Sequence, residues 1–335
     1  MLTHLKLLDS SSWLDKFDHC IRSLERSAQG ENQRNIIKIA ILDTGCNTDD
    51  DFFSDLGMHY LNGLQGSGRW YDCVAGSYKP IDQDPKKHGT ALTALLLRLV
   101  PKALVYVIRV AKDAEHLAQA DENIAKARII PSKSSDPLLT MPGQAVRYAH
   151  SQGVEIVSMS FGFDRTLELS KKAIEQTSSM LFFAAANNDG LNSPELFPAN
   201  HELVIPVRGT SYKGSFEDLF NPVTPGHKPG CRYGTLATDV PCGGPDDSRL
   251  IKSGCSVATP IVAAIAATII MFVDWDSSLQ VYRSSVRTRL GVQSVFREMT
   301  KDQLVSERRY LAPWQLCDNT SLHARERIKN ALAWS

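Results

Sequence analysis

The stretch Ser253-Gly254-Cys255-Ser256-Val257-Ala258-Thr259-Pro260 sets a serine at the head of a long apolar run, residues 261–273. A hydroxyl at a helix N-terminus faces the positive end of the helix dipole and several backbone N–H groups that lack an intrahelical partner. Pro260 reads as lying within the first turn, where a missing N–H costs nothing. A serine presented in this way is a candidate nucleophile, and it then needs a base, an orienting group and a donor for the oxyanion. Candidates for all three lie upstream. Ile39-Ala40-Ile41-Leu42-Asp43-Thr44-Gly45 is a buried strand that delivers a carboxylate at its C-terminal end, where a charge must be paired to be tolerated. His88-Gly89-Thr90 places a histidine, the side chain suited to moving protons near neutral pH, at the start of a helix rich in Ala and Leu. Ala184-Ala185-Ala186-Asn187-Asn188-Asp189-Gly190 runs another strand into a turn with two side-chain amides.

Each piece also has a plainer reading. Asp43-Thr44-Gly45 suits a structural turn, or one half of an aspartic-protease dyad, which would need a homodimer because the chain carries a single copy. Asn-Asp-Gly is a common loop turn. Cys255 is a second candidate nucleophile beside Ser256. The histidines His19, His150 and His227 lack the setting of His88, since they fall on an amphipathic helix, near a helix end and in a Pro/Gly loop.

The elements that must position these groups are legible from periodicity. The runs 36–42, 103–110, 154–158, 180–186 and 203–207 are short, apolar and mostly β-branched, as buried parallel strands are. Helical patterns lie between them, at 90–99 and 142–152 among others. Strands alternating with helices predict a doubly wound α/β fold, a three-layer, mostly parallel sheet with helices on both faces and helical N- and C-terminal extensions. Sites in such folds gather at the carboxyl ends of strands, where Asp43 and the 185–188 turn fall. Residues 10–28 predict an amphipathic helix with Ser10 to Ser12 as caps, followed by a polar linker over 29–35. The expected division is 1–35 for that helix and linker, 36–274 for the main domain and 275–335 for a helical extension.

Composition narrows the partners. The chain has 335 residues, with Lys plus Arg and Asp plus Glu both at 37, so its formal net charge is zero. Neither nucleic acid nor an anionic membrane is expected as partner. The arginines Arg283, Arg287, Arg289 and Arg297 read as a solvated helix face. The run 261–273 falls short of the ~20 residues that span a bilayer and reads as a core helix. Seven cysteines without C-x-x-C spacing read as reduced thiols, and the N-terminus shows no secretory signal, so a cytoplasmic location is expected.

Taken together, Asp-Thr-Gly, His-Gly-Thr, Ser-Phe-Gly, Ala-Ala-Ala-x-Asn-x-Gly and Gly-x-Ser-x-Ala-Thr-Pro resemble the subtilisin-like serine peptidases, and Asp43, His88, Ser256 stand in the order known for them. The segments Val154-Glu155-Ile156-Val157-Ser158-Met159-Ser160-Phe161-Gly162, Phe197-Pro198-Ala199 and Val204-Ile205-Pro206-Val207 resemble the family's substrate-binding strand and the one after it. The resemblance implies a serine endopeptidase with a polypeptide substrate and no cofactor. Ser256 would be the nucleophile, His88 the proton carrier, Asp43 its orienting carboxylate and Asn188 the side-chain oxyanion donor. Ser160, Phe161 and Gly162 would form one wall of the pocket for the residue preceding the cut bond, and Ala185, Ala186 and Asn187 the other. The alternative is a catalytically weak or inactive effector or binding module of the same fold.

Three residues depart from the family pattern: Ala91 where a second histidine is usual, Cys255 where threonine is, and Asn187 where glycine is. Asn187 is expected to narrow the pocket, as the insertion 111–141 could occlude the cleft. It also leaves two adjacent amides as oxyanion candidates, and register favours Asn188. Calcium is common in relatives, but Asp49-Asp50-Asp51 lacks a calcium-loop motif and reads as a solvated turn. Asn319-Thr320-Ser321 reads as a helix cap. Because the chain ends in a helix, continuation into further domains of a longer parent protein is expected.

Overall fold

The computed structural model describes residues 2–28, 35–50, 53, 64, 68–113, 145–190, 193–221, 232–243, 250–301, 303, 307–317 and 321–333. The linker at 29–34, most of the insertion 111–141, Asp51, His227, Asn319 and Thr320 lie outside them. In chain order the elements are helix α1 (Leu2–Ser27), strands β1 (Lys38–Asp43) and β2 (Trp70–Asp72), helix α2 (His88–Leu99), strand β3 (Leu104–Arg109), helix α3 (Ala145–Ser151), strand β4 (Ile156–Met159) and helix α4 (Glu168–Gln176). Strands β5 (Leu181–Ala185), β6 (Val204–Thr210), β7 (Arg232–Leu236), β8 (Val240–Pro241) and β9 (Ile251–Lys252) follow. Helices α5 (Cys255–Trp275) and α6 (Arg289–Met299), strand β10 (Arg308–Tyr310) and helices α7 (Trp314–Cys317) and α8 (Ser321–Leu332) complete the chain.

Eight strands form one sheet in the order β10-β7-β6-β5-β4-β1-β3-β2, and every neighbouring pair is parallel. Alternate side chains of each strand serve opposite layers. Ile39 and Ile41 of β1, with Phe183 and Val207, pack under α1, α2, α5, α6 and α8, while Ala40, Leu42, Val157 and Phe182 pack under α3 and α4. This is the expected three-layer α/β arrangement. β1 lies between β4 and β3, so the winding reverses direction there, and such a switch point opens a crevice at the carboxyl ends of the strands. Asp43 ends β1, and Ser160 follows β4 on the other side of that crevice.

Helix α5 is buried along its whole length, from Cys255 to Trp275, and packs on β4 to β7 and on α2. It is long and apolar enough to cross a membrane, yet it forms the centre of the protein core. Three expectations change at this level. Helix α1 begins at Leu2, so Ser10 is no cap; its buried hydroxyl donates to Thr238 O at 2.9 Å. The extension after 274 adds a strand, β10, to the sheet edge beside β7. Its arginines are not a simple solvated face either. Arg283 and Arg287 bond the buried Asp274 at 3.0 Å and 2.6 Å, because a carboxylate shut away from water at a helix C-terminus needs cationic partners.

Candidate active site

The turn after β1 and the start of α2 are built to interlock. A methyl group added to Gly89 would stand 2.3 Å from Gly45 O and 2.9 Å from Thr44 Oγ1, so only glycine lets the two loops touch. The contact is sealed by Gly89 N donating to Thr44 Oγ1 at 2.9 Å. It brings the imidazole of His88 onto the carboxylate of Asp43, with Nδ1 2.8 Å from Oδ1. Asp43 Oδ1 also accepts the Thr44 N–H at 2.8 Å, and its side chain is only 3% exposed. An ionised carboxylate can only accept, so Nδ1 carries the proton and Nε2 is left free as a base.

Two further carboxylates support this histidine without being evident from the motif. Asp84 Oδ2 accepts the His88 N–H at 2.9 Å, taking an N–H that the helix leaves unpaired. Asp82 accepts from Thr90 N at 2.9 Å and Thr90 Oγ1 at 2.6 Å, and burial raises its pKa. Position 91, where the histidine is missing, is a fully buried alanine in the core under the sheet. For His88 itself, burial lowers the pKa, but the charge and hydrogen bond of Asp43 outweigh it and the net shift is upward.

Ser256 occupies the second position of α5, 7% exposed. Pro260 lies beyond the first turn, contrary to the sequence expectation, so its missing N–H does orphan a carbonyl, that of Ser256 four residues earlier. Ser160 Oγ donates to this oxygen at 2.8 Å, so a residue expected in the pocket wall also holds the backbone of Ser256. Strand β9, which leads into this turn, is tied to the loop before His88 by a Lys252 Nζ bond to Lys86 O, and the Lys252 charge acts to lower the His88 pKa.

The two asparagines have different surroundings. Asn188 Oδ1 accepts the Cys255 N–H at 2.7 Å; an N–H can only donate, so the amide nitrogen Nδ2 faces the other way. Its side chain lies against Gly254, whose φ of 127° and bare Cα admit it. Asn187 instead folds back into its own loop, donating from Nδ2 to Pro194 O at 2.9 Å and accepting the Asp189 N–H at 3.0 Å. Both ends of the Asn187 amide are thus spent on the loop backbone. Cys255 points inward, its thiol bonding Phe220 O at 2.7 Å and Asn187 O at 3.1 Å, and burial pushes its pKa up to about 11. A thiol so placed is a poor nucleophile at neutral pH.

Among the expected wall residues, Ser160, Phe161, Ala185, Ala186 and Asn187 are all buried, and Gly162 is half-buried at the end of the β4 side. Asp50, in the acidic run read against calcium, forms an ion pair with Lys87, and no group of three His, Cys, Asp or Glu side chains among the described residues is placed to hold a metal.

A parallel α/β sheet with an Asp–His pair at its switch point and a serine heading a buried helix defines a class of hydrolase, and similarity to known proteins agrees. The Subtilase family (Peptidase_S8) matches residues 34–300, so the chain belongs to that family and is a serine-type peptidase. A subtilisin-like protease, het-Q2 of Podospora anserina, is 26% identical over 295 residues, 75% of this chain and 73% of that protein. M-protease of Shouchella clausii (strain KSM-K16) is 24% identical over 246 residues, 70% of this chain, and the matched part is about half (53%) of M-protease. The structure of the prenylagaramide maturation protease PagA shares the fold, with a TM-score of 0.57 and 18% identity over 92% of this chain and 98% of that one. Asp43 pairs with a histidine, not with a second aspartate, so within this family the aspartic-dyad reading falls away.

Proposed function

We propose that the chain is a serine endopeptidase that cuts polypeptides through an acyl-enzyme, with Ser256, His88 and Asp43 as its triad. The observation that carries this reading is the 2.8 Å contact between His88 Nδ1 and Asp43 Oδ1 on a buried carboxylate, which leaves Nε2 as the only basic nitrogen. In the proposed reaction His88 Nε2 takes the proton as Ser256 Oγ attacks the scissile carbonyl, then returns it to the leaving amine. Asp43 holds the tautomer and stabilises the imidazolium. The developing oxyanion is received by Asn188 Nδ2 and the Ser256 N–H, two donors set in place before the charge appears. Water then attacks the acyl-enzyme by the same route in reverse.

The organisation follows the same reading: a peptidase unit over 36–274, flanked by the N-terminal helix and by the extension 275–335, both packed into its core. A cytoplasmic location is part of it as well. Cys20, Cys46, Cys73, Cys242 and Cys255 are all buried and unbridged, which fits a reducing compartment.

The test is chemical. A fluorophosphonate probe should modify the folded protein at Ser256, located by mass spectrometry of the digest, and His88→Ala should abolish the adduct. No adduct on folded wild-type protein, or an adduct on Cys255, would overturn the assignment.

A further inference from the structure

Helix α2 carries His88 as its first residue and begins without a cap of its own. Its N-cap residue, Lys87, is left-handed at a φ of 50° and has no side-chain acceptor. Ala91 N–H is the first to find a helical partner, Lys87 O, so the three N–H groups before it are left to other segments. Asp84 Oδ2 takes that of His88, Thr44 Oγ1 that of Gly89 and Asp82 Oδ2 that of Thr90, each at 2.9 Å. The two loops that supply these acceptors are also joined to each other. Gly45 and Asp82 form an antiparallel bridge, and Cys46 N donates to Ile81 O at 3.1 Å. Gln83, between the two aspartates, accepts from Arg109 Nη2 at 2.8 Å, and Arg109 Nη1 is anchored on the buried Asp72 at 2.9 Å. Asp82 stands where these ties cross. Its Oδ1 accepts the Asp84 N–H at 3.0 Å, and its Oδ2 accepts the Thr90 hydroxyl at 2.6 Å as well as the Thr90 N–H. The same hydroxyl accepts the Asn47 N–H at 3.1 Å. One carboxylate thus joins the loop before His88, the first turn of α2 and, through Thr90, the loop after Asp43.

We infer that Asp82 is a positioning residue for the proton carrier, acting through Thr90 to keep His88 Nδ1 on Asp43. The inference rests on the proposal that His88 is the base for Ser256. A side chain at the first helical position moves with the backbone of that turn, and a shift of about 1 Å is enough to break the 2.8 Å contact with Asp43. Asp84 alone does not fix the turn: it holds only the His88 N–H, and its own N–H is held by Asp82. The three groups that meet Asp82 here are all donors, so only an ionised carboxylate accepts from all of them at once. An amide in its place has a single acceptor oxygen, and its NH2 must face a donor. The charges that set the His88 proton are those of Asp43, Lys252 and Asp84, and the contribution of Asp82 is geometric.

Two variants separate geometry from charge and from stability. Asp82→Asn keeps the size of the side chain and turns one acceptor into a donor. Thr90→Val keeps the shape of Thr90 and the charge of Asp82 and removes only the hydroxyl. Both should slow fluorophosphonate labelling at Ser256, per folded molecule, by about ten- to hundredfold, the order of cost for a catalytic group misplaced by 1 Å. Both should also move the acid limb of the labelling rate to lower pH, because a loosened Asp43 contact no longer raises the His88 pKa. The double variant should label within about twofold of the slower single one, since the two changes break one bond. A further readout needs no reaction: the downfield Nδ1–H proton resonance of His88, followed by NMR in the free protein, should weaken and move upfield in both variants. Unchanged labelling, acid limb and resonance in folded variants, with only the melting temperature lowered, would make Asp82 a stabilising residue and overturn the inference. A limb that moves for Asp82→Asn and stays for Thr90→Val, as charge alone would have it, does the same. Should Asp82→Asn fail to fold, Thr90→Val decides by the same measurements. If wild-type protein is not labelled at all, the peptidase reading has failed, and the Nδ1–H resonance still decides whether Asp82 holds His88 to Asp43.

Discussion

His88 is pulled in opposite directions by its surroundings. Burial disfavours the imidazolium, Asp43 favours it by charge and hydrogen bond, and Lys252 opposes it again. Asp43 prevails, so the ring holds its proton to a pH above the ordinary histidine value of about 6.5. In the folding balance, a raised pKa gives stability that is fully present below about 6.5 and lost as pH climbs through the folded-state value. Activity runs the other way, because a base must be neutral to accept the Ser256 proton, so kcat/KM should rise through that same window. Lys252→Met removes the cation that favours the neutral ring. Its acid limb should therefore move to higher pH, as read from kcat/KM profiles of the two proteins; a limb that stays or moves down contradicts this account of His88. At this scale the sequence was informative where a residue type carries its chemistry with it. Asp43, His88 and the serine-bearing turn stand out because few residue types can do their work. Asp82 does not: it is one of several carboxylates in a polar loop, and its bonds to Thr90 arise only in the fold. Asp84 and Ser160 were similarly opaque as supports, since what matters in each is which backbone atom it reaches.

Helix α5 carries the candidate nucleophile at one end and an ionic cluster at the other. At its N-terminus each irregularity has a local answer, Ser160 for the carbonyl freed by Pro260 and Asn188 for the Cys255 N–H. At its C-terminus Asp274 and Asp276 are 1% and 0% exposed in their side chains, and arginines from the extension reach them. Arg325 Nε bonds Asp276 Oδ2 at 2.7 Å. Removing the cation leaves a buried carboxylate with weaker partners, so Arg325→Met should lower stability by about 3 kcal/mol. The check is a urea titration in which the midpoint falls and the slope does not change. A 21-residue helix at ~1.5 Å per residue puts Ser256 roughly 30 Å from this cluster, so Ser256 labelling per folded molecule should be unaltered. The extension illustrates why periodicity alone misreads such elements. Arginines at helical spacing usually mark a solvated face, and nothing in the spacing reveals that Asp274 is shut away from water. The edge strands β2 and β10, three residues each, were illegible for a related reason. They are strands because a neighbour offers an open ladder, not because Trp70-Tyr71-Asp72 or Arg308-Arg309-Tyr310 has any strand pattern. Five of the six inner strands, buried on both faces, show the apolar runs that make them readable, and the sixth, β7 (Arg232–Leu236), does not.

Over the whole molecule, the segments outside the central sheet are parts of one core and not separable appendages. Helix α1 buries Trp13, Leu14, Phe17 and Leu24 in the layer that also holds α2 and α5. Trp13 Nε1 donates to Tyr310 OH at 2.6 Å and its ring meets Trp314 edge-on at 5.1 Å, so the first helix and the last elements meet each other. Arg98, near the C-terminal end of α2, bonds Asp15 at 3.2 Å, whereas His88 stands at the opposite end of that helix. A helix anchored in this way should support the fold and leave the cleft alone; an inhibitory segment laid over the cleft would behave differently. Phe17→Ala distinguishes the two. Phe17 is fully buried, and truncating such a phenylalanine costs about 3–5 kcal/mol through lost contacts and the cavity left behind. If α1 is structural, the variant should melt at lower temperature while Ser256 reacts with a fluorophosphonate at the wild-type rate, measured well below the transition. If α1 restrains the site, loosening it should speed that labelling, and a faster reaction in folded Phe17→Ala would sink the structural account. The expected outcome is lower thermal stability at constant reactivity, because every anchor of α1 named here joins it to the core or to the C-terminal elements and none to Asp43, His88 or Ser256.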